Sequence, residues 1–442
     1  MIRSLLIANR GEIAVRIIRT CKEMGIRTVA VYSEADRGSL HTNMADQAVC
    51  IGPASSQDSY LHMGNIITAA CMTRCDAIHP GVGFLSENPK FAQAVEDAGL
   101  IFVGPTPQTI RMLGDKVISR HTAREAGVPV TPGSMEAVSD PRDAARLADE
   151  IGYPVILKAA AGGGGRGMRI VREPKELASA ITIASREALA FFADGTIHME
   201  KYLVNPRHVE IQLLSDGKGH VVHLGERDCS VQKNHQKLIE ESPSPIIDEQ
   251  MRRQMGADSV RLFSHIGYRG AGTIEFLVQD GAYWFMEVNA RVQVEHPVTE
   301  MVCSTDIIRQ QLRIASGKSI ELDGTAAQLV GHAMECRVNA LTPGTISTFN
   351  PPLGPSVRVD THLFQGAKVS PHYDSMVAKV IVHGSDRQRA IEIMLRALKE
   401  FKIEGIKTNI DSQCTILQSK PFRSGSFGTD LYARLFDGDS KR

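Results

Sequence analysis

Three side chains near residue 280 carry the oxygen ligands that a hard divalent cation prefers: Glu275, Glu287 and Asn289. Two carboxylates and an amide oxygen suit Mg²⁺, and phosphate oxygens commonly complete its coordination shell. If the two glutamates face each other in a buried place, their charges repel, and a divalent cation removes that cost. The sequence therefore predicts a magnesium site that also binds phosphate oxygens. Solvated glutamates on a surface hairpin are the alternative.

A β-hairpin would bring these three side chains to one face. Apolar runs flank Asp280-Gly281, which is a strong hairpin signal. A three-residue loop with Gly281 in the left-handed conformation would pair Gln279 with Tyr283. Counting along the strands from that pair places the two glutamates directly opposite each other, with the asparagine two residues further along on the same face.

Just after the hairpin, polar side chains alternate with valines: Arg291, Gln293 and Glu295 are separated by Val292 and Val294. If this segment stays extended, the three polar side chains share a face. An arginine fork, an amide and a carboxylate on one face form an anion site with a built-in base. A surface strand could show the same alternation, but the predicted metal site beside it favours the functional interpretation.

The composition excludes several classes of protein. The chain has 442 residues with 50 basic and 50 acidic side chains, which gives no support for binding to nucleic acid or to an anionic membrane. We find no apolar run of the ~18 residues that a membrane span needs, and residues 1–8 are too short for a signal peptide. The eight cysteines form no Cys-x-x-Cys pair, which indicates reduced thiols and a cytoplasmic protein.

The first part of the chain, residues 1–113, alternates between strand and helix patterns, which predicts an open parallel sheet of Rossmann type. Its first turn, Asn9-Arg10-Gly11, has a single glycine, so the dinucleotide fingerprint is absent, which argues against a dehydrogenase. A tight loop at residues 79–84 follows a strand, at the edge where such sheets bind ligands, although an ordinary turn would look the same.

A second region begins near residue 114 and contains a glycine run at residues 162–167 between two predicted strands. The run formally contains G-x-G-x-x-G, but a Rossmann fingerprint opens a helix, whereas this loop joins strands. Such a loop can fold over a nucleotide as a flap, with its backbone amides on phosphate oxygens and Lys158 adding charge. A flexible linker is the alternative.

Two further segments are predicted to be strands with one polar face. His208 and Glu210 alternate with apolar residues, and a solvated or phosphate-facing strand is favoured there over a metal site. Residues 227–230 are predicted to turn into a donor-rich cluster at residues 232–237, and the start of a surface helix is an equally weighted alternative for that cluster. Residues 331–339 alternate in the same way and place Arg337 on a polar face, which a salt-bridged surface would equally explain.

Two of these segments resemble the ATP-grasp signatures of carbamoyl-phosphate synthase and the biotin carboxylases, namely YPVILKAAAGGGGRG (153–167) and FMEVNARV (285–292). Five further segments are similar to biotin carboxylase specifically: IANRGEI (7–13), HPGVGFLSEN (79–88), RDCS with HQK (227–230 and 235–237), VEHPVTE (294–300) and YDSM (373–376). Because they span nearly the whole chain in the family's order, the chain is identified as a member of the biotin carboxylase family.

The resemblance implies an α/β architecture of three domains. These are an N-terminal Rossmann-like domain at residues 1–113, an ATP-grasp domain at residues 114–327 with a mobile glycine-flap lid at about residues 131–203, and a C-terminal α+β domain at residues 328–442.

The resemblance also implies site residues, position by position. ATP would be held by Lys116, Lys158, Gly163, Gly164, Gly165, Arg166, Gly167, Met168, Glu200, Lys201, Leu203, His208, Gln232 and His235. Mg²⁺ or Mn²⁺ would be bound by Glu275, Glu287 and Asn289. Bicarbonate would be held by Lys237, Arg291, Gln293 and the backbone of Val294. Glu295 would be the general base, and Arg337 would face biotin.

The implied reaction is the ATP-dependent carboxylation of biotin by bicarbonate through carboxyphosphate, the first half-reaction of acetyl-CoA carboxylase in fatty acid synthesis. Positioning and deprotonation make bicarbonate nucleophilic, and a metal with lysines neutralises the charge that spreads during phosphoryl transfer. We see no Met-Lys-Met biotinyl segment and no carboxyltransferase region in the sequence. We therefore expect a biotin carboxyl carrier protein and carboxyltransferase subunits as partners, together with a homodimer.

Two features depart from the family's usual pattern. Val82 stands where the family usually has tyrosine near the biotin site, and the loop after Asn339 is shorter than usual. These departures leave open an ATP-grasp carboxylase or ligase that acts on another nitrogen nucleophile, such as urea. A non-enzymatic nucleotide-binding regulator is the second alternative, but it predicts gaps among the metal and base residues, and all of them are present.

Overall fold

The computed structural model describes residues 1–134, 137–138, 140–159, 168–192 and 194–438. Most of the predicted glycine flap, residues 163–167, therefore lies outside the described residues. Met168 is the first residue described after it.

The N-terminal part of the chain forms a five-stranded parallel sheet. Its strands are β1 (Ser4–Ile7), β2 (Arg27–Ser33), β3 (Gln47–Gly52), β4 (Ala77–His79) and β5 (Ile101–Phe102). Its helices are α1 (Gly11–Glu23), α2 (Leu40–Met44), α3 (Met63–Met72), α4 (Pro89–Asp97) and α5 (Pro107–Gly114), with a 3-10 helix at Glu34–Asp36. The strand order β3-β2-β1-β4-β5, parallel throughout, confirms the predicted open Rossmann-type sheet.

The next part of the chain builds a small separate layer, which we call the lid. Helix α6 (Lys116–Glu125) precedes the lid and packs on α5 and the main core. The elements of the lid are α7 (Pro141–Ile151), β6 (Val155–Ala159), β7 (Met168–Val171), α8 (Pro174–Phe192) and β8 (Ile197–Lys201). Strand β6 pairs antiparallel with both β7 and β8, as expected for two strands that flank a loop. The lid has its own apolar core, which includes Val155, Leu157 and Met199.

The remaining chain contributes most of the strands. These are β9 (Arg207–Asp216), β10 (Val221–Lys233), β11 (Gln236–Ser242), β12 (Arg269–Gln279), β13 (Ala282–Asn289), β14 (His332–Asn339), β15 (Gly344–Thr345), β16 (Thr348–Asn350), β17 (Val357–Thr361), β18 (Lys368–Val369), β19 (Met376–Gly384) and β20 (Lys402–Glu404). The helices are α9 (Glu249–His265), α10 (His296–Cys303), α11 (Ile307–Ala315), α12 (Arg387–Glu400), α13 (Ile410–Gln418), α14 (Lys420–Ser424) and α15 (Leu431–Phe436). Across the ranges that the structure describes, we find no helix with the length and apolar character needed to cross a membrane.

Eight of these strands form one continuous sheet in the order β13-β12-β9-β10-β11-β14-β19-β17. The pairing of β11 with β14 joins the strands of residues 207–289 to those of the C-terminal region, and it places Glu240 directly opposite Glu335. Helix α12 covers one face of β14 and β19 with Ile391, Met394 and Leu398. The other face of these strands carries buried charged side chains, which the site below uses.

The hairpin formed by β12 and β13 differs from the predicted one in its register next to the turn. Its turn has two residues, Asp280 and Gly281, both with positive φ (50° and 75°), so Gln279 pairs with Ala282 and the predicted pairing with Tyr283 is wrong. A bulge further along β13 then shifts the register by one residue. The two differences cancel, and the predicted glutamate pair is nevertheless formed.

Strand β10 overturns the predicted turn at residues 227–230. The strand runs without interruption as far as Lys233, and the chain reverses instead at Asn234 and His235, which join it to β11. Its long polar stretch is buried in the sheet and is therefore not a surface segment.

One buried ion cluster at the junction of β11 and β14 predicts how stability depends on pH. Glu241 of β11 accepts hydrogen bonds from Arg387 of α12 (2.6 and 3.0 Å) and lies 2.9 Å from His332 of β14. Although burial alone raises the pKa of Glu241, His332 and Arg387 hold it at about 2, below its ordinary 4.5. Because the folded-state pKa is lowered, this carboxylate stabilises the protein above pH ~4.5 and loses its effect as the pH falls through about 2.

We therefore expect Glu241→Gln to lower the free energy of unfolding by about 3 kcal/mol at pH 7. Urea denaturation at pH 7 and at progressively lower pH should show the difference between wild type and variant shrinking below pH ~4.5. As the matched control, Glu392→Gln on the exposed face of α12 should change stability by less than about 0.5 kcal/mol at any pH. A difference for Glu241→Gln that stays constant with pH would contradict this account.

Candidate active site

A large cavity of about 2000 Å³ lies where the lid, the N-terminal sheet and the eight-stranded sheet meet. The lid contributes β6 and β8, the N-terminal sheet contributes the loops after β1 and β4, and the eight-stranded sheet contributes the ends of β9 to β14. Every predicted site residue that the structure describes lines this cavity: Lys116, Lys158, Met168, Glu200, Lys201, Leu203, His208, Gln232, His235, Lys237, Glu275, Glu287, Asn289, Arg291, Gln293, Val294, Glu295 and Arg337.

The carboxylate of Glu275 is the most heavily bonded acid in the cavity. Lys237 donates to it at 2.9 Å, and His208 lies 2.8 Å away. The side-chain amides of Asn289 and Gln293 also donate to it, at 2.9 and 3.2 Å. Burial alone raises the pKa of Glu275, but Lys237 and His208 hold it far below the ordinary value. This carboxylate is therefore ionised at neutral pH and already neutralised in part by protein cations.

Glu287 sits directly across the hairpin from Glu275 and is in the opposite situation. Among the described side chains, we find none that donates a hydrogen bond to its carboxylate. Burial and the neighbouring charge of Glu275 raise the pKa of Glu287. A second carboxylate without a protein cation, placed beside the first, is the arrangement that a divalent cation would relieve, so this donor set fits Mg²⁺.

The segment that follows β13 is not a strand, so the condition under which residues 291, 293 and 295 were expected to share a face, an extended chain, is not met. Glu295 has φ −82° and ψ 11° and directly precedes α10, which turns the chain away from an extended path. The three polar side chains still line the same cavity, because the turn itself bends around it. Their convergence therefore comes from a turn before a helix and not from strand alternation.

Arg291 links the predicted metal and anion residues. Its guanidinium donates to Gln293 Oε1 at 2.9 Å and to Asn289 Oδ1 at 3.1 Å. Its Nε donates to Glu87 at 2.9 Å, and the other oxygen of Glu87 accepts from the backbone N–H of Ala290. Sequence reasoning gave no role to Glu87, although it lies in one of the segments that carry the family resemblance. It holds Arg291 in place from the N-terminal sheet.

Glu295 is fully buried and is held by two cations. Lys237 donates to its Oε1 at 2.7 Å, and Arg337 donates to its Oε2 at 2.9 Å. Burial alone raises the pKa of Glu295, but Lys237, Arg337 and the more distant Arg227 hold it well below the ordinary value. The carboxylate is thus ionised at neutral pH, with each of its oxygens bonded to a cation.

Arg337 bridges Glu295 and a second buried acid on the neighbouring strand. Its Nε donates to Glu240 at 2.6 Å, and burial is the main reason why the pKa of Glu240 is raised to about 7. The surface explanation of Arg337 is therefore wrong, because its partners are completely buried. The pairing of β11 with β14 brings this arginine from the C-terminal region into the cavity.

A buried hub beneath the cavity was missed by sequence reasoning. Glu210 accepts from Arg227 at 2.6 Å and from Lys237 at 2.8 Å, and Arg227 also donates to Gln212 and Thr299, both at 2.8 Å. The preferred reading of β9 as a solvated or phosphate-facing strand is wrong for Glu210, which has no exposed surface. A strand whose polar residues lie inside a sheet needs partners from other strands, and their positions are not visible in the sequence of β9.

On the lid side of the cavity, Glu200 forms ion pairs with two cationic side chains. Lys158 donates to it at 2.7 Å, and Arg120, a further residue that was not predicted, lies 2.9 Å from its other oxygen. The ammonium of Lys201 instead donates to the backbone carbonyls of Gly152 and Tyr153, at 2.9 and 3.1 Å. The ammonium of Lys158 is therefore paired with a carboxylate, whereas that of Lys201 is bound by backbone carbonyls just before β6, and both lysines line the cavity.

Such an arrangement defines a class of enzyme. An opposed acidic pair on a hairpin and a row of cations, placed between a small lid and a large sheet, are the parts of an ATP-grasp ligase. Consistent with this, residues 115–323 match the family model of the carbamoyl-phosphate synthase L chain, ATP binding domain. Residues 1–110 match the biotin carboxylase N-terminal domain, and residues 334–434 match the biotin carboxylase C-terminal domain.

The chain belongs to the biotin carboxylase family and is an ATP-dependent carboxylase. It is 51% identical over 439 residues to biotin carboxylase 1 of Bacillus subtilis, covering 97% of this chain and 98% of that protein. The solved β-γ-ATP complex of Campylobacter jejuni biotin carboxylase has a TM-score of 0.93 and 46% identity, covering 98% of this chain and 99% of that chain. These matches confirm the resemblance drawn from the sequence.

A second solved relative is the biotin carboxylase domain dimer of 2-oxoglutarate carboxylase from Hydrogenobacter thermophilus, in complex with MgADP, ADP and bicarbonate. Its TM-score is 0.91 at 43% identity, and the match covers 98% of each chain.

Proposed function

We propose that this chain carboxylates biotin on a biotin carboxyl carrier protein, using ATP and bicarbonate, as the biotin carboxylase subunit of an acetyl-CoA carboxylase in fatty acid synthesis. The observation that carries the proposal is the convergence of Glu295, Lys237 and Arg337 immediately beside the opposed glutamates of the hairpin. A base held by two cations, next to a cation site, is what the activation of a small oxyanion by ATP requires.

ATP would occupy the side of the cavity between the lid and the hairpin. Lys116, Lys158 and His235 would be the hydrogen-bond donors to the nucleotide there. Gln232 and His208, whose side chains lie 2.7 Å apart, line the same cavity. Glu275, Glu287 and Asn289 would hold Mg²⁺ or Mn²⁺. When bound, this ion would neutralise charge on the phosphate oxygens and so assist transfer of the γ-phosphoryl group.

Bicarbonate would occupy the pocket lined by Lys237, Arg291, Gln293 and the backbone of Val294. As its negative charge enters, Lys237 and Arg337 can turn part of their hydrogen bonding from Glu295 to the substrate. That exchange removes the interactions that lower the pKa of Glu295, and the carboxylate then becomes a stronger base at the moment when the substrate proton must leave. The deprotonated anion would attack the γ-phosphorus of ATP, the bond from that phosphorus to the bridging oxygen would break, and carboxyphosphate and ADP would form.

Carboxyphosphate would break down to CO₂ and phosphate, the released phosphate would take the N1′ proton of biotin, and N1′ would form its new bond to the carbon of CO₂. Arg337 would face biotin in this step and stabilise the negative oxygen that develops on the ureido ring when N1′ loses its proton. The hydrogen bond from Arg337 to Glu240 would hold the guanidinium at the cavity wall during this step. Val82 lines the same cavity and offers no ring for stacking on the substrate. For this reason a second candidate is an ATP-grasp carboxylase or ligase acting on another nitrogen nucleophile, such as urea.

The proposed assembly contains carrier and carboxyltransferase subunits and a homodimer of this chain. The dimeric biotin carboxylase domain among the solved relatives supports the last of these. All eight cysteines are free thiols, which suits a reducing cytoplasm.

One assay tests the proposal. ADP release by the purified chain should depend on both bicarbonate and free biotin, because each half of the reaction consumes one of them. Urea and small amines, at matched concentration, serve as competing nucleophiles. Stimulation by urea in place of biotin would favour the second candidate, and ADP release that is independent of bicarbonate would overturn both.

The turn at His235 predicts that nucleotide binding and stability can be separated. Asn234 and His235 both have positive φ (50° and 64°), which costs a bulky residue about 1–2 kcal/mol. We expect His235→Gly to leave the urea midpoint unchanged or raised while weakening ATP binding about fivefold through loss of the imidazole. Asn234→Gly relieves the same backbone strain but keeps the imidazole, so its ATP affinity in calorimetry should match wild type. Equal loss of affinity in both variants would contradict a direct role for His235.

A further inference from the structure

A buried lysine outside the predicted site contacts the backbone of the proposed bicarbonate pocket. Lys379 of β19 has no exposed surface, which is rare for lysine because an ammonium is costly to remove from water. Its Nζ donates to the carbonyl oxygen of Val294 at 2.7 Å. No feature of the sequence around residue 379 predicted this contact, since it joins segments 85 residues apart.

The surroundings of Lys379 show that it is charged. Glu12 of α1 lies 3.2 Å from its Nζ, while Asp360 lies directly opposite it on β17 and is itself bonded to Arg358 at 2.7 and 2.9 Å. Burial alone lowers the pKa of Lys379, but Glu12, Glu335 and Asp360 raise it above the ordinary value. Lys379 is therefore protonated at neutral pH. It lies where α1, β17 and the turn before α10 come together.

An ion pair alone does not explain this geometry. Neither carboxylate oxygen of Glu12 makes a hydrogen bond within the described part of the chain, so the Lys379–Glu12 contact is a loose one. The close contact of Lys379 is with a neutral carbonyl, and that carbonyl belongs to the residue between Gln293 and Glu295. The short hydrogen bond of Lys379 is thus made to the backbone of the proposed bicarbonate pocket, at the Val294 carbonyl.

The neighbouring carbonyls are held in a similar way. The carbonyl of Gln293 accepts from the backbone N–H of His296 at 3.3 Å and lies 2.8 Å from its ring Nδ1. The carbonyl of Glu295 accepts from Val298 N–H at 3.1 Å. Because a trans peptide places N–H and C=O on opposite sides, fixing the Gln293 carbonyl also directs the Val294 N–H. From the C-terminal region, Lys379 holds the backbone of this turn, whereas Arg337 holds the Glu295 side chain.

We propose that Lys379 is a positioning residue for the bicarbonate pocket, because its ammonium fixes the peptide between Val294 and Glu295. This inference rests on the proposed function. The Val294 carbonyl lies in the peptide plane that leads into Glu295, so holding it constrains the direction of the Glu295 carboxylate. The Val294 N–H offered to the anion belongs to the preceding peptide, which the Gln293 carbonyl holds, and the two planes meet at the Val294 Cα. The nucleotide side of the cavity does not depend on this peptide.

The test measures the KM for bicarbonate and the KM for ATP separately, through bicarbonate-dependent ADP release by the full chain. We expect Lys379→Met to raise the KM for bicarbonate at least about tenfold and to leave the KM for ATP within about twofold of wild type. The matched control is Glu12→Gln, which removes one charge from the same buried cluster but leaves the bond from Lys379 to Val294. Both of its KM values should stay within about twofold of wild type.

A double variant separates positioning from folding. Lys379→Met combined with Glu12→Gln removes an acid together with the cation, so it should be more stable than the single lysine variant and still show the bicarbonate defect. A parallel rise of both KM values, an equal defect in Glu12→Gln, or an unchanged KM for bicarbonate in Lys379→Met would overturn the inference. Wild-type ADP release that does not respond to bicarbonate would instead refute the proposed function itself.

Discussion

Replacing Glu295 by glutamine is expected to lower the rate of ADP release that depends on bicarbonate and biotin by about 10²- to 10⁴-fold, the usual contribution of a general base. Glutamine has nearly the same shape but cannot take the proton of bicarbonate. It also leaves Lys237 and Arg337 without their shared counter-ion. Each cation then has one acidic partner fewer and can bond more strongly to the substrate anion, so we expect the KM for bicarbonate to stay level or to fall while kcat falls.

The same variant should bind ATP as wild type does, because Glu295 contacts none of the donors on the lid side of the cavity. Calorimetry with ATP and Mg²⁺ checks this directly. Glu321→Gln, at a glutamate that is 40% exposed and paired with Arg313, controls for loss of one negative charge and should leave kcat unchanged. A Glu295→Gln enzyme with the wild-type rate would remove this residue from the mechanism.

The second large effect concerns stability. Arg227 is completely buried and binds Glu210, Gln212 and Thr299, so Arg227→Met would leave the carboxylate of Glu210 in the interior with Lys237 as its remaining cation. Breaking a buried pair in this way costs about 3–5 kcal/mol. We expect a loss of that size in urea denaturation.

Two further variants decide whether the loss comes from the uncompensated charge. Arg227→Met combined with Glu210→Gln removes both charges and should recover a substantial part of the stability. Arg253→Met removes an arginine that is 72% exposed and lies 4.0 Å from Glu249, and it should change stability by less than about 0.5 kcal/mol. A loss below about 1 kcal/mol for Arg227→Met would show that water or another group replaces the arginine.

The hairpin shows how far local rules carry a prediction. The turn signal at Asp280-Gly281 located both strands correctly, because left-handed backbone at these positions follows from residue type. The loop length was wrong by one residue and a bulge was missed, and only their cancellation preserved the opposition of Glu275 and Glu287. A bulge depends on how β13 packs at its edge of the sheet, which the hairpin's own sequence does not encode.

The anion pocket shows a different limit. The sequence marked Arg291, Gln293 and Glu295 as a group through their spacing, but it implied an extended strand, whereas the chain turns into α10. The three side chains still line one cavity because they are only two residues apart in the sequence, which keeps them close in a turn as well as in a strand. Their separate roles in binding bicarbonate remain predictions for the kinetic tests above.

The sequence by itself determined the parts of this protein that depend on neighbours along the chain. These are the strand and helix alternation of the N-terminal sheet, the hairpin with its acidic pair, and the motifs that place the chain in its family. Only the tertiary structure decided which distant side chains meet. The pairing of β11 with β14 brings Arg337 to Glu295, and β19 carries Lys379 to the carbonyl of Val294. Buried charged side chains pair with groups on other strands, because an unpaired charge in the interior is costly. The order of the strands depends on the packing of the whole chain, so a local sequence pattern does not show which side chains will pair.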